Sequence, residues 1–183
     1  MRETESSRRK FLGQSVGGVS IAWLTANWPA AVAAAEQTQK SGGFAYLTPA
    51  QAIEIDAMSA QIFPTDDTPG AREAQVVYFI DLALVTFAQE RQDTYKQGFG
   101  ELQSKTKEMF PAAASFSALS SDQQIQLLTA IEKAPFFRAV REHTIMGMFS
   151  APQHGGNYKK VGWKLIDFDD SLNFKAPFGA YGA

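Results

Sequence analysis

The 183 residues contain no cysteine. That excludes disulfides, thiolate-held zinc, iron–sulfur clusters and the C-x-x-C-H haem attachment on this chain. It does not by itself assign a compartment. Histidine is scarce: only His143 and His154 occur, and they form neither H-E-x-x-H nor another helical metal spacing. No G-x-G-x-x-G follows a strand-like run, and there is no P-loop and no G-x-S-x-G. A nucleophile–base–orienter set is likewise not legible. A surplus of basic charge is missing too. Lys and Arg number 17 against 19 Asp and Glu, which argues against a nucleic-acid partner. Sustained period-two alternation is absent, so strands are not expected.

Apolar residues, by contrast, are plentiful. They make up 45% of the chain and include 14 Phe, enough for the core of one domain. The N-terminus reads as a leader. Ser7-Arg8-Arg9-Lys10-Phe11-Leu12 matches the twin-arginine export pattern, with Arg8, Arg9, Phe11 and Leu12 as its signature. Gly13 to Ala26 is a weakly apolar h-region, too short and too polar for a transmembrane helix of ~20 residues. Ala33-Ala34-Ala35 supplies small residues for cleavage after Ala35, with Ala33 as the second choice. The expected destination is the periplasm, reached through the twin-arginine translocase. That route carries folded proteins, so the leader implies that a cofactor or a partner is in place first. The expected organisation is a signal peptide over 1–35, a flexible linker over 36–43 and a single helical domain over 44–183.

Within the domain, Thr48-Pro49-Ala50-Gln51 is a helix start with a capping box, and the helix runs to about Ile62. Ile55, Met58 and Ile62 form its inner stripe, and Phe63-Pro64 ends it. Asp66 and Asp67 lack the spaced acids of a calcium loop and read as capping or solvated charge. Glu73 to about Glu90 is apolar nearly all round, so that helix is either central to a bundle or half-covered by a partner. Asp81 lies inside it and needs a partner. Arg91 to Phe110 is amphipathic, with Tyr95, Phe99, Leu102 and Met109 inward and Gly98 and Gly100 as bending points. Ser120 and Gln123 form a second capping box, with Ile125, Leu127, Leu128 and Ile131 inward. Pro135 opens or kinks the segment that ends at Phe149. The expected fold is all-α, a small bundle of about five helices.

Ser150 to Trp163 (S-A-P-Q-H-G-G-N-Y-K-K-V-G-W) breaks the pattern with Pro152, Gly155, Gly156 and Gly162. A long Gly- and aromatic-containing loop of this kind either packs on its own domain or builds a docking site. The irregular tail carries the aromatics Phe168, Phe174, Phe178 and Tyr181, which wrap either this chain or a partner. His143 is expected at a solvated or satisfied position.

The ordered motifs resemble the gluconate 2-dehydrogenase subunit 3 family. They are L-T-P-A-Q at Leu47, I-F-P at Ile62, T-P-G-A at Thr68, V-Y-F-I-D at Val77, Tyr95 with Gly98, and F-F at Phe136. T-I-M-G-M-F at Thr144, H-G-G-N at His154 and G-W at Gly162 complete the set. At His154 the family more often has an aromatic, so no role is carried to that residue. The resemblance implies a non-catalytic small subunit, without a cofactor of its own. Its partner would be a large FAD-carrying subunit resembling the glucose–methanol–choline oxidoreductases, which oxidises a sugar, sugar acid or glycoside. A cytochrome c often takes the electrons in such complexes. The small subunit would stabilise the large one and supply its export signal. Expected partner-binding residues are Phe63, Pro64, Gly155, Gly156, Asn157, Trp163, Phe178 and Tyr181, with core packing the rival role for Phe63 and Trp163. A different class stays open: a self-sufficient exported enzyme or ligand-binding domain with a pocket around His154, Asp81 and Tyr158.

Overall fold

Two capping boxes set the helix starts that sequence chemistry dictates. At Thr48 the side chain accepts from the Gln51 N–H, and the Gln51 side chain returns to the Thr48 N–H. Ser120 and Gln123 repeat the arrangement. Each satisfies two amide donors that a helix start leaves unpaired. The computed structural model describes residues 43–170; the export motif, both cleavage candidates, Phe178 and Tyr181 lie outside them. Six helices follow in order: α1 (Pro49–Ile62), α2 (Val76–Val85), α3 (Gln92–Met109), α4 (Ser121–Ala130), α5 (Pro135–Phe149) and α6 (Val161–Leu165). No strand occurs among the described residues, so the chain is all-α, as its periodicity implies. The sixth helix is a five-residue turn inside the segment expected to be loop. No helix among the described residues is long and apolar enough to cross a membrane.

α5 is the axis, packing on α1, α2 and α3. Met148 and Val140 of α5, Ile55 and Met58 of α1, Ile80 and Leu84 of α2 and Leu127 of α4 are fully buried with Tyr95, Phe116 and Phe136. Each large apolar side chain so buried contributes about 1.5–3 kcal/mol. α2 is shorter than expected. Gln75 adopts a left-handed conformation (φ 55°), so the helix begins at Val76 and not at Glu73; it ends at Val85 and not near Glu90, with the Thr86 hydroxyl donating to the Leu82 carbonyl at 2.7 Å. Of its two expected settings, the central one holds: eight of its ten residues are buried. Gly98 serves packing, because a Cβ there would run into the Phe136 ring; at Gly100 the space is open. Ile125, expected inward, is 50% exposed. Its neighbours Leu127 and Leu128 take the inner face, and on a ten-residue helix both edges of a broad apolar stripe cannot be covered.

Buried polar groups join the helices in pairs. Thr144 donates to the Val140 carbonyl at 2.7 Å, so the 3.1 Å bond between Thr144 and Ser59 has Ser59 as donor and ties α1 to α5. Gln124 accepts from Gln61 and donates to the Phe116 carbonyl, tying α4 to α1. Asp81 makes the most concentrated set. Its carboxylate accepts from the N–H groups of Ala45 (2.7 Å), Tyr46 (2.9 Å) and Leu47 (2.8 Å). An extended entry segment is thereby clamped to α2, with Phe44 stacked on Tyr78 at 5.2 Å. Asp81→Ala is expected to cost about 3 kcal/mol, since it strands amide donors that held a charged acceptor. Urea unfolding of the mature chain measures this; a loss under about 1 kcal/mol would show the clamp to be incidental.

Candidate functional site

A helix ends with carbonyls that have no partner along its own axis. At the end of α5 these belong to residues 147–150, and the 150–163 segment curls back over them. The Trp163 indole Nε1 donates to the Phe149 carbonyl at 2.7 Å. The Asn157 amide donates to the Ser150 carbonyl at 2.9 Å. Its own Oδ1 accepts from the Gly162 N–H at 2.8 Å. Asn157 is fully buried, and its left-handed backbone (φ 48°) turns the chain. Gly156 lies against the Gly147 carbonyl and Gly162 against the Met148 carbonyl, each too close for a Cβ. Here glycine is required by contact. Gly155, at φ 95°, lies on the Tyr78–Phe79 backbone and needs glycine for conformation as well.

The rest of the node comes from other elements. Gly147 is wedged against Val76 and Phe79. The Phe63 ring meets Phe149 edge-on at 6.0 Å. Gly70 presses on the Phe63–Thr65 backbone, and the Ala71 N–H donates to the Phe63 carbonyl at 2.9 Å. The Tyr158 N–H donates to the Ala74 carbonyl at 3.1 Å. Motifs separated by up to a hundred positions in sequence therefore meet where α1 and α5 end and α2 begins.

The sequence model of the family described as Gluconate 2-dehydrogenase subunit 3 matches residues 49–170. The chain belongs to that family. No curated protein and no solved structure matches it. The family description makes it a subunit of an oxidoreductase complex, and its matched span takes in every element of the node.

The residues expected to touch a partner divide accordingly. Gly156 and Asn157 are buried and give the loop its shape; they offer no contact surface. Phe63, Gly155 and Trp163 are half-buried, with Phe63 and Trp163 also holding the node together. Pro64 is exposed. Sequence reasoning named Phe168 as a surface aromatic but missed that Leu165 and Ile166 join it just beyond the loop: all three are exposed, with the Phe168 ring against Trp163 at 5.1 Å. Tyr158 is exposed beside them in sequence. The only signal was a run of apolar residues broken by Asp167, which does not distinguish surface from core.

The loop also carries strain. Lys159 and Lys160 are left-handed (φ 55° and 59°), a conformation that costs about 1–2 kcal/mol for a residue with a side chain. The Lys160 ammonium is held by both Asp170 oxygens at 2.8 Å and lies 5.6 Å over the Trp163 ring.

Chemistry-bearing side chains elsewhere are engaged in structure. Asp81 is held by its three amides. His143 takes the satisfied one of its two expected positions: it is buried, and its Nδ1 lies 2.9 Å from the Tyr95 hydroxyl, with the rings stacked at 5.8 Å. Burial pushes the Tyr95 phenol upward and the His143 imidazolium down, with Glu142 partly opposing the latter. Burial likewise lowers His154. Asp66 is lowered by bonds from the Thr68 N–H and hydroxyl in an exposed turn. No group of three or more metal-capable side chains occurs among the described residues. Two surface grooves of about 220 and 240 Å³ are lined by residues of α1, α4 and α5, and of α1, α3 and the 114–116 turn; neither takes in His154, Asp81 or Tyr158.

Two expectations follow. Asn157→Ala should cost about 2–3 kcal/mol, through two lost hydrogen bonds and an alanine in left-handed backbone. Asn157→Gly should cost less, and equal losses in denaturant titrations would remove the backbone part of the explanation. His143 binds its proton less readily folded than unfolded, so its contribution is complete above the unfolded value of about 6.5. Stability should fall as pH drops below that value and through the lowered folded one. Urea midpoints at pH 7.5 and 5.5 should separate less in His143→Gln than in the wild type. An unchanged separation would assign the effect elsewhere, His154 being the other histidine with the same sign.

Proposed function

We infer that this chain is the non-catalytic small subunit of a periplasmic flavin-dependent dehydrogenase complex. Its partner is a large FAD-carrying subunit of the glucose–methanol–choline type that oxidises a sugar, sugar acid or glycoside, with a cytochrome c accepting the electrons. The small subunit binds and stabilises that partner and lends it the twin-arginine leader. The observation that carries this reading is the family match across the whole node. Two features of the molecule support it. Its buried acid and its buried imidazole are both held in structural hydrogen bonds, away from solvent. Its exposed large apolar residues include Tyr158, Leu165, Ile166 and Phe168, all within one short segment. Such residues gain most by being covered by another protein.

Docking would use this segment with Pro64 and the rims of Phe63, Gly155 and Trp163, while Gly156 and Asn157 hold its shape. Phe178 and Tyr181 would extend the same contact from the tail. FAD and the reacting atoms would belong to the large subunit, and this chain's share of the mechanism would be assembly before export.

A tagged full-length chain, recovered from the periplasm of its own host, tests the reading. It should bring down a large yellow partner with a flavin absorbance spectrum. Replacing Arg8 and Arg9 together by lysine should remove both proteins from the periplasm. A colourless monomer at wild-type yield would overturn the small-subunit assignment. Unchanged export of the lysine variant would overturn the leader's role alone.

A further inference from the structure

The tip of the 150–163 loop presents a lysine where its backbone would suit glycine. Asn157 has a structural reason to be left-handed: it is the buried knot of the loop. Lys160 is left-handed too, with its ammonium paired to both Asp170 oxygens. Lys159 sits between them in sequence, equally left-handed and exposed. Its ammonium lies over the face of the Tyr158 ring, 5.2 Å from the centroid. Glycine would adopt this backbone without strain. A residue held in a sparsely populated conformation by its surroundings points toward use of its side chain.

The surroundings do hold it. The Tyr158 N–H is bonded to Ala74 and the Lys160 N–H to the Asn157 carbonyl at 2.8 Å. An ammonium over an aromatic face is partly stabilised by the ring but keeps donors directed outward. Lys160 is paired with Asp170, and Lys159 is the exposed cation next to the Tyr158 hydroxyl, which can donate. An aromatic and a cation on a rigid loop, flanked by exposed apolar side chains, bind at low entropic cost.

We propose that the Tyr158–Lys159 tip is a preformed recognition element for a carboxylate-bearing segment on the surface of the flavoprotein subunit. The lysine would meet the carboxylate and the tyrosine hydroxyl would donate a second bond to it. Leu165, Ile166 and Phe168 would form part of the apolar surround that excludes water. The inference rests on the small-subunit reading and names the chemistry of that contact.

The test takes the holo-flavoprotein that copurifies with the wild-type chain and measures its affinity for mature chains by biolayer interferometry at low and moderate salt. Lys159→Gly removes the cation and relaxes the backbone. It should weaken binding at least about tenfold and flatten the salt dependence, with no fall in the melting temperature of the chain alone. Lys159→Glu should weaken it further, and Lys159→Arg should stay within about threefold of wild type. If Lys159→Gly binds as the wild type does, the tip is overturned and the small-subunit reading stands. A wild-type chain that captures no flavoprotein overturns both. Loss of Lys159→Gly binding only to vesicles containing anionic lipid, with the protein complex intact, would make the tip a membrane contact and overturn the proposal.

Discussion

A carboxylate in the most apolar helix of a small bundle is tolerable only if its charge is answered by well-placed donors. Asp81 finds those donors in three consecutive backbone N–H groups, at 2.7 to 2.9 Å. The pairing works in both directions. It satisfies the acid, and it satisfies amides of an extended segment that has neither a helix nor a sheet to bond with. Because residues 45–47 are fixed on α2, Thr48 is delivered to the position from which it caps α1. α1 then lies against α5, and α5 ends where the loop begins. The placement of the node depends on that one side chain, which is also the acid of the V-Y-F-I-D motif.

How much of this could be read from residues follows from the range of the signals involved. Both capping boxes were legible because their partners are three residues apart, and α1, α3 and α5 ended within a residue or two of where Phe63-Pro64, Pro111 and the loop place them. The need of Asp81 for a partner was legible from its setting; the identity of that partner was not, since 34 to 36 residues separate them. α2 began late because of a left-handed glutamine, which no local rule marks. α6 was missed because Gly162 argues against helix, whereas glycine is needed there by the close Met148 carbonyl. His143 gave no hint of burial: its partner Tyr95 is on another helix. Ile125 failed in the opposite sense, because an apolar stripe gives a direction but not the width of what will cover it.

The node explains why motifs that are individually weak add up to a specific family pattern. Gly147, Gly156 and Gly162 are separate letters in sequence, but each marks the same physical event, a backbone pressed against the end of α5 or the start of α2. Asn157 and Trp163 answer two of the carbonyls exposed there. Any one of these could arise by chance. Together they define a single way of folding a loop onto a helix end, so losing one leaves the others under strain or unsatisfied.

That economy bears on function. A loop fastened by buried hydrogen bonds has little freedom to reorganise when a partner arrives, so the shape it presents is set within the chain. Its inner residues, Gly156, Asn157 and Gly162, are removed from solvent. Its outer ones, Tyr158 and Lys159, are pushed outward by the same left-handed turns that close the knot. The two sets are therefore not alternatives between packing and docking. The packing of the first produces the presentation of the second, and the strain at Lys159 is sustained by hydrogen bonds whose donors and acceptors lie on either side of it. On the proposed reading, in which the chain holds a partner protein, stability at this loop and recognition by it would be one property.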